Sequence, residues 1–235
     1  MKIQKKHLEI IIQNDVVIKS YDYILKEKAI KEFSILSKMY EAFNGVIHNS
    51  WQYTTVKPLN LSYENTKFNI TMEKASGNDL LSLTKPPIDV YYHIGVWLSI
   101  FHLRTVNAYG KPLSHGDFTL ENINVNINKK CVTGYDFLTL GRANLLEYDL
   151  VTMIEGIIGK QIKNFKLPYK AVSYFMEGYL STRSKLNHKN FKKAVNDRYN
   201  PKMKKKRSKK FRKTLLILST INIKKRISQA HKGDA

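Results

Sequence analysis

One short segment constrains the fold of this 235-residue chain more than any other. In HGDFTLEN, Asp117 precedes Asn122 by five positions, and Asp136 follows fourteen residues after Asn122. Two strand-like runs, 123–127 and 131–135, lie between them and are joined by a polar turn, so they predict a hairpin that returns Asp136 to the first two residues. Phosphoryl transfer uses such a set, in which one carboxylate orients the attacking hydroxyl while an amide and a second carboxylate hold Mg²⁺.

The hydrophobic pattern predicts strands first and helices later. Residues 7–19 are expected to form two strands around a turn at 13–15, and further strands are expected over 51–56 and 67–72. Long helices are expected over 23–43 and 88–106, and shorter ones over 148–159 and 168–180. The buried face of the first helix is predicted to contain Ile30, Phe33, Leu36, Met39, Tyr40 and Phe43.

This order of elements predicts an α+β fold of two lobes with a cleft between them. The N-terminal β lobe, with its one long helix, is expected over 1–74 and is assigned to nucleotide binding. The helical C-terminal lobe with the catalytic loop is expected over 75–182, with a candidate hinge at 75–79. A strongly basic tail is expected over 183–235.

The positive charge of the chain is concentrated in that tail. Lys and Arg number 40 against 19 Asp and Glu, a formal net charge of +21, but 183–232 alone holds 19 basic residues and one acid, Asp197. The single cysteine, Cys131, excludes an internal disulfide and thiolate zinc sites. Because no secretory signal and no run of 18 apolar residues occurs, a cytoplasmic protein is expected.

HGDFTLEN resembles the H-G-D-x-x-x-x-N catalytic loop of the protein-kinase-like superfamily, and Tyr135-Asp136-Phe137 is similar to its metal-binding Asp segment. The resemblance is to the small-molecule branch: aminoglycoside phosphotransferases, choline kinases and lipopolysaccharide core heptose kinases. It implies a two-lobed protein-kinase-like fold with a reduced N-terminal β lobe. It also implies that Asp117 is the catalytic base, that Asn122 and Asp136 bind Mg²⁺, and that His115 is a buried organiser of the loop.

Segments upstream extend the resemblance. Val16-Val17-Ile18-Lys19 is similar to the V-A-I-K strand, which implies that Lys19 contacts the ATP phosphates and that Val17 abuts the adenine. Glu32 is then the helix partner of Lys19. The run Met72 to Gly77 looks like the hinge of these kinases, so Glu73 and Ala75 are predicted at the adenine.

Two further residues receive structural interpretations. Tyr148-Asp149-Leu150 resembles the D-L that opens a helix in the small-molecule kinases, so Asp149 is expected to cap a helix and brace the catalytic loop. His102, on a long apolar helix, is interpreted as a satisfied core histidine.

The chain also departs from the family pattern. No glycine occurs before Gly45, so the glycine-rich loop over the phosphates is absent or replaced by the turn at 13–15. Twelve residues separate Asp136 from Asp149, which leaves no room for a long activation segment. Both departures point away from a typical protein kinase.

The function implied is an ATP-dependent, Mg²⁺-requiring kinase that transfers the γ-phosphoryl group to a hydroxyl of a sugar or glycolipid, with the lipopolysaccharide core as the preferred acceptor. Two alternatives stay open. One is a small atypical Ser/Thr protein kinase, similar to those of tRNA-modification complexes. The other is a non-catalytic nucleotide-binding or scaffold protein, tethered to membrane or RNA by its tail.

The tail itself has three interpretations. It is a solvated charge run, a peripheral contact with anionic membrane through 201–230, or a nucleic-acid contact. Few aromatic side chains accompany the charges, which favours membrane over nucleic acid. The membrane interpretation places the protein on the inner face of the membrane.

Overall fold

The computed structural model describes residues 2–5, 7–43, 45–161, 167–182 and 186–198, so the most basic part of the tail lies outside the described residues. Within these ranges the chain forms two five-stranded sheets and five α-helices. The strands are β1 Lys2–Lys5, β2 Leu8–Ile12, β3 Val16–Asp22, β4 Ile47–His48, β5 Trp51–Thr55, β6 Pro58–Glu64, β7 Lys67–Glu73, β8 Asn78–Asp79, β9 Ile123–Asn126 and β10 Cys131–Gly134. The helices are α1 Lys26–Phe43, α2 Asp89–Tyr109, α3 Glu147–Gln161, α4 Leu167–Thr182 and α5 His188–Arg198.

The first sheet is antiparallel throughout, with the order β1-β2-β3-β7-β6. It contains the predicted hairpin of β2 and β3, whose turn is closed by a bond from the Gln13 N–H to the Val16 carbonyl at 3.0 Å. Strands β1 and β6 were not predicted. The alternating apolar residues of β6 include Leu59 and Tyr63, which are 44% and 53% exposed, because β6 is an edge strand.

Helix α1 follows a short 3₁₀ turn, Tyr23–Leu25, and packs on the first sheet. Its predicted buried face is only partly correct. Leu36, Met39 and Phe43 are buried, but Ile30 is 42% exposed and the charged Glu32 is fully buried. The helix is therefore rotated toward Glu32, because that carboxylate finds its partners on β3 rather than in solvent.

The second sheet joins distant parts of the chain in the order β4-β5-β10-β9-β8. Its centre is the predicted hairpin of β9 and β10, in which Val132 lies opposite Val125. Strand β5 pairs with β10 in parallel, so residues 47–55, which fall in the range expected for the N-terminal lobe, join the hairpin beside the predicted catalytic loop. At the other edge β8 ties the candidate hinge to β9.

Helix α2 is the central element of the helical part and is buried along most of its length. It approaches α4 so closely that a Cβ on Gly95 would lie 2.0 Å from the Phe175 carbonyl oxygen, and one on Gly178 would lie 1.9 Å from that of Tyr92. Helix α5, within the predicted tail, buries Phe191, Ala194 and Val195 and packs on α3. None of the helices described is long and apolar enough to cross a membrane.

Candidate functional site

Lys19 brings three distant parts of the chain together. It lies in the middle of β3, opposite Ile10 on one side and Ile70 on the other. Its Nζ donates to Glu32 Oε1 of α1 at 2.6 Å and to Asp136 Oδ1 at 3.4 Å. Burial alone would lower the pKa of the Lys19 ammonium, but the charges of Glu32 and Asp136 raise that pKa above its ordinary value.

Glu32 is fully buried, and both of its carboxylate oxygens have donors. Lys19 donates to Oε1, and the Tyr21 hydroxyl donates to Oε2. Tyr21 is itself 1% exposed. Burial and the charge of Glu32 raise the pKa of the Tyr21 hydroxyl, so it stays protonated and acts as a donor.

Asp117 and Asn122 lie in the loop between α2 and β9, as predicted. The Asn122 side chain turns back on the loop, and its Nδ2 donates to the Asp117 carbonyl at 2.8 Å. The Asp117 carboxylate remains exposed, whereas Asn122 is 8% exposed. The Tyr135 N–H donates to the Asn122 carbonyl at 3.2 Å, which places the residue before Asp136 directly against the loop.

Asp149 anchors the start of this loop from the first turn of α3. Its carboxylate accepts from the His115 N–H at 2.6 Å and from the Gly116 N–H at 2.9 Å, and it also contacts His102 Nε2 at 2.9 Å. Its side chain is 2% exposed. The other ring nitrogen of His102 contacts the Tyr179 hydroxyl at 3.1 Å, so the interpretation of His102 as a satisfied core histidine is confirmed.

His115 joins the loop to the segment that carries Asp136. Burial lowers the pKa of His115 against the opposing charges of Asp149 and Asp136, so its ring is neutral at pH 7. Its Nε2 lies 3.1 Å from the Tyr135 carbonyl oxygen and therefore carries the proton, while Nδ1 is buried without a hydrogen-bond partner. The Thr139 hydroxyl donates to the His115 carbonyl at 3.0 Å, which closes the contact from the other side.

Asp136 adopts the left-handed conformation, with φ 63° and ψ 59°. This conformation is uncommon for a residue other than glycine. The side chain is 40% exposed and points back to Lys19. Among the described residues no three His, Cys, Asp or Glu side chains cluster as a metal site. The predicted pair of Asn122 and Asp136 supplies amide and carboxylate oxygens, which suit Mg²⁺ when phosphates and water complete its shell.

The predicted adenine residues lie where β7 leaves the first sheet. Val17 is half-buried and pairs with Met72, and Glu73 pairs with Val16. The Glu73 carboxylate lies 3.5 Å from Lys57 Nζ, and the Glu73 N–H donates to the Lys57 carbonyl at 2.9 Å. The Ala75 carbonyl accepts from Asn124 Nδ2 at 3.4 Å, which attaches this segment to β9.

The turn at 13–15 does not cover Lys19. The Asp15 carbonyl accepts from the Lys74 N–H at 2.8 Å, so this turn lies at the end of the sheet where the predicted hinge begins. The opposite end of β3 lies next to the connection from β1 to β2, where Lys5 pairs with Leu8 and Leu8 with Tyr21. Leu8 and the turn at 13–15 therefore lie at opposite ends of β3.

A cavity of about 650 Å³ lies beside the same loop, on the side of Ser114. Its wall comes from 111–114, from 141–147 and from the facing ends of α4 and α5. Polar side chains alternate there with leucines, among them Ser114, Asn144, Asn187 and Asn190. The loop that precedes α3 thus supplies part of the wall.

Three residues that hold the site together were not predicted. Tyr21 could have been found, because side chains two apart on a strand share a face and Lys19 was already assigned. The Tyr135 backbone and the Thr139 hydroxyl could not have been found from the sequence. Their contacts with His115 depend on how the hairpin folds back.

Comparison with known proteins bears on the fold. No protein-family model and no curated protein matches the chain in sequence. Aminoglycoside phosphotransferase APH(3'')-Id from Streptomyces rimosus superposes with a TM-score of 0.63 and 11% identity over 83% of this chain and 89% of that one. An aminoglycoside-3'-phosphotransferase of type VIII has a TM-score of 0.53 and 12% identity over 80% and 91%. Spectinomycin phosphotransferase APH(9)-Ia, in complex with ADP and spectinomycin, has a TM-score of 0.57 and 12% identity over 84% and 78%.

Proposed function

We propose that this chain, which has the two-lobed, protein-kinase-like fold of the aminoglycoside phosphotransferases, is an ATP-dependent phosphotransferase with a hydroxyl as acceptor. One observation carries the proposal. Lys19 Nζ lies within 3.4 Å of Asp136, 117 residues later in the chain, while holding Glu32 at 2.6 Å. An ordinary lysine on the protein surface would not make such a contact. In Lys19 the contact places a cation beside the predicted metal ligand, as phosphate binding requires.

In this proposal Asp117 orients and deprotonates the acceptor hydroxyl. Its exposed carboxylate stands on a loop whose backbone is fixed by Asp149 and Asn122, so the base reaches a substrate without moving the loop. Fixed geometry of this kind is what lowers the barrier in phosphoryl transfer.

Asn122 and Asp136 would hold Mg²⁺, and Lys19 would neutralise the α- and β-phosphates. When bound, the metal supplies charge neutralisation on the transferred group. Val17 and the backbone of Glu73 and Ala75 would receive the adenine between the proposed lobes, 1–74 and 75–182.

For the acceptor we propose a sugar or glycolipid hydroxyl, with the lipopolysaccharide core as the first candidate. The cavity beside the loop supports a polyhydroxylated acceptor, because amide and hydroxyl side chains alternate with apolar ones on its wall. Its Ser114 lies three residues before Asp117, at most about 11 Å away along the backbone. The proposed membrane contact of 201–230, on the cytoplasmic face, would hold the chain at the membrane where a lipid-linked acceptor lies.

The proposal is tested by nucleotide binding and then by turnover. We expect ATP with Mg²⁺ to raise the melting temperature by about 5 °C at ATP concentrations ~100-fold above Kd. Asp136→Ala should abolish the Mg²⁺-dependent part of that rise. Asp117→Ala should retain it, yet lower phosphate transfer from labelled ATP about a hundredfold to ten-thousandfold.

Asp89→Ala is the matched control, because Asp89 is an exposed carboxylate in the first turn of α2. It should behave as the wild type in both assays. Transfer to sugars, glycolipids and proteins, measured in parallel, distinguishes the sugar-kinase proposal from the protein-kinase alternative. Full turnover by Asp117→Ala would refute the mechanism, and no ATP effect in the wild type would favour the non-catalytic alternative.

A further inference from the structure

We propose that Tyr21 is a positioning residue that holds Glu32, and through Glu32 holds Lys19, in the geometry needed to bind the ATP phosphates. The inference rests on the proposed function. Its central observation is the hydrogen bond from the Tyr21 hydroxyl to Glu32 Oε2, inside a core where Tyr21 is 1% exposed and Glu32 fully buried.

Strand geometry explains why Tyr21 can take this position. Alternate residues of a strand share a face, so Lys19 and Tyr21 point to the same side of β3, and α1 packs against that side. Glu32 lies at the point of α1 where both side chains reach it. One carboxylate therefore meets two donors that are fixed by the same strand.

The second donor is needed because Glu32 is removed from water. An ionised carboxylate has two oxygens that each require donors, and Lys19 reaches only Oε1. A second cation at Oε2 would compete with Lys19 for the same charge. The neutral hydroxyl of Tyr21 satisfies Oε2 without altering the charge balance.

The arrangement keeps Glu32 in place while the other partner of Lys19 changes. In this structure Lys19 is shared between Glu32 and Asp136. If Asp136 bound Mg²⁺, Lys19 would keep Glu32 as its remaining carboxylate partner. Because Tyr21 holds Glu32 from the other side, Glu32 and with it the Lys19 ammonium would stay in place.

The test removes one oxygen atom. Tyr21→Phe should raise the Kd for ATP with Mg²⁺ about tenfold, because a hydrogen bond to a buried charge is lost and Lys19 is less well fixed. The KM of the acceptor should not change. Tyr53→Phe is the matched control, because Tyr53 is also fully buried and bonds to His93 at 2.8 Å, away from Lys19.

Measuring Tyr21→Phe in a chain that carries Glu32→Leu separates a positioning role of Tyr21 from a general loss of stability. If Tyr21 acts through Glu32, Tyr21→Phe should have no further effect on the ATP Kd in a chain that already carries Glu32→Leu. The chain with both substitutions replaces both hydrogen-bond partners by apolar groups. Its ATP Kd can therefore be measured even if Tyr21→Phe alone fails to fold. An equal loss in both backgrounds would assign Tyr21 a purely structural role and overturn the inference.

Chemical labelling of Lys19 provides a readout that does not need ATP. We expect an amine-acylating reagent to modify Lys19 about tenfold faster in Tyr21→Phe than in the wild type, measured relative to the exposed Lys129. Unchanged labelling would refute the positioning role even if the chain bound no nucleotide. Faster labelling without any ATP binding would instead refute the proposed function and leave the role of Tyr21 intact.

Discussion

The two halves of the candidate site are held together in different ways. The half formed by β3 and α1 depends on side chains from separate elements: Lys19, Tyr21 and Glu32 meet across the interface of strand and helix. The half formed by the catalytic loop depends on its backbone, whose N–H groups at 115 and 116 are both bound by Asp149.

The core under the loop reinforces this difference. Trp97 stacks on Phe118 with ring centroids 5.5 Å apart and an interplanar angle of 5°, and Phe101 stacks on Phe137 at 5.6 Å. A backbone fixed by a buried carboxylate above packed rings has few alternative arrangements. The half that contains Asp117 is therefore the rigid half, held through its backbone, whereas the half that contains Lys19 is held by side-chain contacts.

The largest expected effect comes from removing the anchor of the rigid half. Asp149→Ala would leave two backbone N–H groups and the His102 ring without their acceptor in the core. We expect the free energy of unfolding to fall by about 3 kcal/mol or more, measured by urea denaturation. The exposed Asp89→Ala should change it by less than about 0.5 kcal/mol. Equal effects would show that the loop is not held as described.

A pair of glycines tests the rigid half without touching a charge. Gly116 has φ +84°, and an added Cβ would lie 2.2 Å from the Thr139 carbonyl oxygen. Gly110, which ends α2, has φ +72° and open space around it. We expect Gly110→Ala to cost about 1 kcal/mol from backbone conformation alone, and Gly116→Ala about 2–4 kcal/mol. If the two costs were equal in thermal unfolding, the loop could yield to the clash and would not be rigid.

Lowering the pH should destabilise the half that contains the predicted catalytic loop before it destabilises the half that contains Lys19. Burial lowers the pKa of His93 to about 4, and burial also lowers the pKa of His115 in the loop before Asp117. Folding favours the neutral forms of both histidines. Their contribution to the free energy of unfolding is therefore fully present above the ordinary histidine pKa of about 6.5, and it is lost as the pH falls toward 4. We expect the part of the His93 contribution that is lost between pH 6.5 and pH 5 to be about 2 kcal/mol.

Hydrogen exchange at pH 7 and pH 5 measures where that loss occurs. Amides of α2 and the second sheet should have lower protection factors at pH 5 than at pH 7, once the slower intrinsic exchange at pH 5 is taken into account, because His93 stacks on Trp51 with ring centroids 3.8 Å apart. His93→Gln should flatten part of the pH dependence. Equal loosening of the first sheet would remove the distinction between the halves.

Much of the fold followed from local patterns. The apolar spacing of α2 and the β-branched runs of β9 and β10 produce elements within a few residues of those predicted. The edge strands β1 and β6 were missed: β1 is only four residues long, and the alternating apolar residues of β6 were not recognised as a strand. The face of α1 was misjudged at Ile30, which is exposed, whereas Glu32 was placed beside Lys19 by the family resemblance and not by hydrophobicity.

The sequence by itself determined which groups the site contains and in what order, because the spacing of Asp117, Asn122 and Asp136 is a property of the chain. Only the tertiary structure decided how they are held. Lys19 and Asp136 meet at 3.4 Å, although no local preference links residues 117 positions apart. Tyr21 became part of the site for the same reason: burying Glu32 between strand and helix creates a need for a second donor, and that need exists only once the core has formed.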